Sequence, residues 1–338
     1  MKIAFDPSKE TNKETNKDTN KDTEKMEVEY DTSLVGEVID LEIERRDSEN
    51  NDNQLFEEYQ KIKEPIYDIE DEDDREDAFE EADREFFDKL SMGSGLEEVL
   101  EDFPTLQEHI GFLEIRRAVT REEEEGNISN RELETGKKAA IIRFRTSCFM
   151  QPEAFKKVIR HEFMHLTDIL SEDFDYNTKR FAPNPSEESF IRDRYRIMWD
   201  MYIGSRFEKE GREEEADKSG CYKEFEALYL KVPADQRKAI FEKVWEMENL
   251  THSGILELAK DPYKLLQLTG EAKEEDKGKM VLPGTACPLC KFPSYEIVTD
   301  ISEEAREKII EEFPNWDAGW ACERCLDLYN LKPMNRAV

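Results

Sequence analysis

Histidine is scarce in this chain, with four in 338 residues, so two of them at a chemically useful spacing carry information. Long apolar runs are missing altogether. No stretch reaches the roughly 18 consecutive apolar residues that a membrane-spanning helix needs, which excludes such a span. Basic charge is also in short supply: 49 lysines and arginines face 82 aspartates and glutamates, for a net charge of −33. Most of that excess falls in residues 27–104, which hold 30 acids and 7 bases. Nucleic acids and anionic lipids are bound by basic clusters, so this surface disfavours both. The opening "MKIAFDPSKETNKETNKDTNKDTEK" has no apolar core of a secretory signal, and the expected compartment is the cytoplasm. Of the six cysteines, four form two CxxC pairs, a pattern that in such a chain points to metal before disulfides.

What is present divides the chain into stretches of different character. Residues 8–25 repeat a four-residue polar unit with no apolar periodicity, and residues 1–54 together read as a disordered acidic tail. Within that tail "LVGEVIDLEIE" alternates well enough to suggest a short strand or docking element. The folded part is expected to begin near Leu55 and run to residue 270, mostly as acidic and amphipathic helices. A charged linker at 271–280 then leads to a separate module at 281–338. One segment breaks the helical rhythm. Ala139–Thr146, rich in Ile and Phe with Arg143 and Arg145 on alternate positions, reads as a half-exposed strand. Pro152 and Glu153 next open a helix over about 152–171, whose core stripe is Phe155, Ile159, Phe163, Leu166 and Leu170. A second long helix follows from Ser186 to about 210.

Off that stripe stand His161 and His165, one turn apart, with Glu162 between them in "VIRHEFMHLTDIL". Imidazoles at i and i+4 project from one helix face and suit two ligands of a tetrahedral zinc. Glu162 lies about 100° around the helix, where it cannot join the same ligand stripe but can reach a zinc-bound water. It is expected to act there as general base in attack on a carbonyl. The third ligand is less determined. Asp200 is the choice because it sits among Trp199, Met201, Tyr202 and Ile203, where a carboxylate needs a partner. Asp193, Glu187 and Glu188 on the same helix are the alternatives, and His109 and His252 are the only other histidines. Asp168, three residues after His165, is a candidate acceptor for an imidazole N–H. Tyr202 and Arg206 are candidates for stabilising an oxyanion.

The module at the end of the chain carries Cys287, Cys290, Cys322 and Cys325, in "CPLC" and "CERC". Four thiolates in two knuckles form a closed set for a structural zinc, with a helix in "SEEAREKIIEEFPNW" inserted between them. So small a module with so little apolar content needs its metal to fold. Cys148 and Cys221 read as core thiols.

The His161–Glu162–His165 arrangement is the H-E-x-x-H motif and resembles the zincin metallopeptidases. In that family an edge strand preceding the active helix binds extended substrate by backbone pairing, the role the resemblance implies for Ala139–Thr146. Ser171 stands where a metzincin has a third histidine, which sets that branch aside. A carboxylate from a later helix is the gluzincin pattern, although glutamate is usual there and Asp200 departs from it. The order of protease domain and four-cysteine ribbon is also similar to SprT-like metallopeptidases, some of which cut protein crosslinked to DNA. The chain lacks the histidine that would be the SprT-like third ligand. Its residues 281–338 hold 10 acids and 6 bases, against a DNA-binding ribbon.

The expected fold is therefore α+β and mainly helical, a zincin-like metallopeptidase domain with a small β sheet and active-site helix, plus a C-terminal zinc ribbon. The expected activity is zinc-dependent hydrolysis of peptide bonds in a protein or peptide substrate, with one catalytic and one structural Zn2+. The alternatives are a non-catalytic zinc-binding interaction protein and a SprT-like protease acting on DNA-associated proteins. Oligomeric state and substrate identity are not readable from the residues.

Overall fold

A computed structural model describes residues 2–4, 26–133, 135–183, 185–229, 232–270, 281 and 284–331. The chain is mainly helical with a small sheet, and it divides into two compact units, Met1–Ser171 and Glu172–Val338. No helix among the described residues is long and apolar enough to cross a membrane.

In the first unit a five-stranded sheet is built from β1 (Lys2–Ala4), β2 (Glu27–Tyr30), β3 (Ile110–Arg117), β4 (Gly126–Glu132) and β5 (Lys138–Phe144). Its spatial order is β1-β2-β3-β5-β4. The three central strands are parallel, while β1 and β4 run antiparallel at the two edges. Helices α1 (Thr32–Asn50), α2 (Gln54–Lys63), α3 (Glu72–Lys89), α4 (Ser94–Glu101), α5 (Pro104–His109) and α6 (Pro152–Leu170) complete the unit. One apolar cluster joins Val28, Leu113, Ile115, Ala140, Ile142 and Phe144 of the sheet to residues of α1 and α6.

Two expectations from the sequence fail in this unit. The supposed tail contains β2 and α1, and Leu34, Val35, Val38 and Ile39 of α1 are buried in the main core. These apolar residues fall at i, i+1, i+4 and i+5, a helical spacing as well as a rough alternation. The cap decides for helix: the Asp31 carboxylate accepts from the Leu34 N–H at 3.1 Å, satisfying an N-terminal amide that would otherwise be open. The four-residue repeat at 8–25 and the linker at 271–280 lie outside the described residues. The second correction concerns Ala139–Thr146. Most of it is β5, but β5 lies between β3 and β4 and is not an edge. The edge strand beside it is β4, whose polar sequence "GNISNRE" carries almost no apolar alternation for a sequence reading to detect.

The second unit opens with α7 (Pro185–Lys209), against which α8 (Glu213–Ala216), α9 (Lys218–Leu228), α10 (Ala234–Trp245) and α11 (His252–Lys260) pack. Asp217, with φ of 38°, separates α8 from α9, and its carboxylate caps α9 through the Gly220 N–H at 3.1 Å. Pro262 starts α12 (Pro262–Leu268) and separates it from α11, since proline cannot continue the helical hydrogen-bond ladder. The four-cysteine module follows with β6 (Thr285–Ala286), β7 (Pro293–Ser294), β8 (Ile297–Val298), α13 (Glu303–Glu312), β9 (Ala321–Cys322) and α14 (Glu323–Leu331). Helix α13, capped by the Ser302 hydroxyl, is the insertion between the knuckles. The expected domain limit at residue 270 differs from the division into units, which falls at Ser171 and keeps this module with α7–α12.

Candidate metal centres

Among the described residues, two side-chain settings have the chemistry of metal ligands. The first lies on α6, whose apolar stripe anchors it: Phe155, Ile159, Phe163 and Leu166 are all buried in the core of the first unit. That fixes the helix's rotation and turns His161 and His165 to another face. Their Nε2 atoms stand 3.2 Å apart, edge to face. Two nitrogens bound tetrahedrally at about 2.0–2.1 Å from one zinc would be roughly 3.3 Å apart, so the pair has the bite of a metal chelate. His161 is half-buried and His165 is buried.

Glu162 is buried as well, and its Oε2 accepts a hydrogen bond from the backbone N–H of Gly126 at 2.6 Å. A carboxylate withdrawn from water needs such a donor. Nothing in the sequence signals this contact, because the donor is a backbone amide of a polar edge strand. Gly126 itself fits closely: a Cβ there would meet Glu162 Oε2 at 3.3 Å and Leu166 Cγ at 3.4 Å. Asp168, buried at 4% exposure, completes the polar residues of this stretch.

Most of the remaining sequence candidates are in the second unit, on α7. Asp200 is half-buried between the buried Trp199 and Met201. The Arg206 guanidinium lies over the Tyr202 ring at 4.4 Å, a cation–π contact between the two oxyanion candidates. Among the alternatives for third ligand, Glu188 is held by Arg180 at 2.8 Å and Arg192 at 3.2 Å, which keep its carboxyl below its ordinary range. Asp193 is exposed. His109 is exposed at the end of α5, with Nδ1 against the Thr105 carbonyl. His252 is enclosed in the second unit, where its Nδ1 lies 2.7 Å from the Tyr195 hydroxyl. Phe174, Tyr176 and Phe181 pack around it.

The second setting is the cysteine module. The sulfurs of Cys287, Cys290, Cys322 and Cys325 all lie within 4.8 Å of one another, and none is in a disulfide. These four cysteines can hold a metal ion. Cys290 and Cys322, from different knuckles, have sulfurs 3.8 Å apart, close to the roughly 3.8 Å that two thiolates span on a tetrahedral zinc with bonds of about 2.3 Å. Burial raises the Cys287 thiol, but N–H groups of Cys322, Cys290 and Leu289 aimed at its sulfur outweigh this and bring it down to about 7. Burial keeps Cys322 and Cys325 above their ordinary value, so without a cation the cluster holds only part of its negative charge. A divalent ion would reverse that balance.

No protein-family model matches the chain, and no curated protein and no solved structure is significantly similar to it.

Proposed function

We propose that the chain is a zinc-dependent peptidase, with His161, His165 and Asp200 as ligands of the catalytic ion and Glu162 as general base. The observation that carries this reading is the donor set. The two imidazoles of α6 hold their Nε2 atoms 3.2 Å apart, the bite of a chelate, and Asp200 is the carboxylate that the sequence offers as the third ligand. Two nitrogens and a carboxylate leave a fourth tetrahedral position open, the composition of a catalytic zinc rather than a closed structural one. Zinc bound there would supply the Lewis acidity that lets water lose a proton near neutral pH. Glu162, adjacent in sequence but off the ligand stripe, is the group suited to take that proton and hold it at its carboxylate. Extended substrate would be received by backbone pairing along β4, the outer strand whose first residue touches the base. The cysteine module would hold a second zinc with a structural role.

Metal analysis and proteolysis of a casein substrate test this together. Wild type is expected to carry two zinc ions per chain and to cleave casein. His161→Ala is expected to carry one and to be inactive. Glu162→Gln should retain both ions while losing cleavage by about a hundredfold or more, as removal of a general base does. Two ions retained in His161→Ala would overturn the catalytic site. A wild type with both ions and no cleavage would leave a zinc-binding protein without this activity.

A further inference from the structure

In an antiparallel ladder, residues alternate between pairs that exchange hydrogen bonds and pairs whose amides point away from the partner. The Arg143 N–H donates to the Glu125 carbonyl at 3.0 Å, so that residue pair is of the bonding kind. Gly126, opposite Ile142, and Ile128, opposite Ala140, are then of the other kind. Their N–H groups face away from β5, outside its ladder. These are the donors that an added strand would need. Both are already taken. The Gly126 N–H is bonded to the Glu162 carboxylate at 2.6 Å, and the Ile128 N–H to the Asn127 side-chain oxygen at 2.8 Å.

We infer that β4 is latched in its resting state: Glu162 and Asn127 occupy two of its outward donors, at Gly126 and Ile128, and a peptide that pairs with β4 there must displace them. The consequence for Glu162 is positional. While bonded to Gly126 its Oε2 is engaged by the strand, and substrate pairing at that amide releases it. An extended main chain would thus free the general base in the act of binding. A ligand that does not pair with the strand would leave the base tied. Gly126 and Asn127 are positioning residues in this scheme, and the inference rests on the peptidase reading for the identity of the edge-bound ligand.

The test is binding, so it does not depend on turnover. Zinc-replete full-length protein would be titrated with a fluorescein-labelled, unstructured casein peptide of about twelve residues, followed by anisotropy. Glu162→Gln keeps an acceptor for the Gly126 N–H, whereas Glu162→Ala removes it. Glu162→Ala is expected to bind about three- to tenfold more tightly than Glu162→Gln, the scale of one hydrogen bond no longer displaced. Adding the exposed Asn127→Ala to either should tighten binding again by a similar factor. Affinities that agree within about twofold across the four proteins, weaker binding in the alanine variants, or no binding in any of them would overturn the latch. The expected pattern without casein cleavage by wild type would leave the latch standing and overturn the peptidase reading alone.

Discussion

His252 shows how one residue can be fully enclosed yet chemically unfinished. Its Nδ1 meets Tyr195, while its Nε2 is buried among aromatic rings without a hydrogen-bond partner among the described residues. Burial holds the imidazole below its ordinary value of 6.5, with Asp175 opposing the shift and Lys260 adding to it. The sign of the linkage follows. The unfolded chain takes up the proton more readily, so the stability carried by neutral His252 is present above about pH 6.5 and is lost as pH falls through and below it. The thermal midpoint of wild type should drop between about pH 7.5 and pH 5.5. His252→Gln, whose side chain does not titrate, should start lower and show a smaller drop. An identical pH dependence in both would mean that other groups govern the acid response. Sequence reading named this histidine only as a spare ligand, because enclosure by residues from three separate segments leaves no local pattern.

At the scale of elements, α1 is the sharpest departure from the sequence reading. Its core residues share a segment with Glu37, Glu42, Glu44 and Glu49, and that acidity suggested solvent. The structure resolves the conflict by amphipathic burial and ion pairing. Glu42 is itself buried and is held by Arg45 at 2.8 Å and Arg46 at 2.5 Å, which keep its carboxyl below the ordinary range against the effect of burial. Leu34→Ala should therefore lower stability by about 2–5 kcal/mol, the cost of a cavity in a packed core, as measured by urea unfolding. A change within about 0.5 kcal/mol would return the segment to the status of a tail. By contrast, α6 was legible nearly to the residue, because its stripe, its Pro152 start and its paired histidines all repeat at helical spacing. The edge strand was not legible. Polar β4 is defined by its partner β5, and a pairing between segments has no signature within either one.

For the whole molecule, the acidic excess and the two CxxC pairs were plain in the sequence, and the structure gathers the four thiols without a disulfide. Their separation into knuckles with α13 between them makes the module's fold depend on closing a long loop with few core residues, among them Trp316, Trp320 and Ile309. A metal held by all four sulfurs closes that loop. Cys322→Ser is expected to cost one equivalent of metal and to render residues 285–331 sensitive to limited trypsin digestion. Cleavage sites in the first unit should stay protected. Resistance equal to wild type would show that apolar packing alone suffices for the module.

The parallel pairing of β2 with β3 carries a consequence for synthesis. Val28 sits beside Leu113, with α1 through α5 made in between. Bringing such distant segments together has an entropic cost that local helices do not bear, and it slows folding. As the chain leaves the ribosome, β2 must wait until β3 emerges, and α6 with its two histidines comes later still. The sheet of the first unit thus cannot close until β3 has been made, and a nascent chain halted before residue 110 would hold β2 with α1 and α3 but without the parallel strand it pairs with.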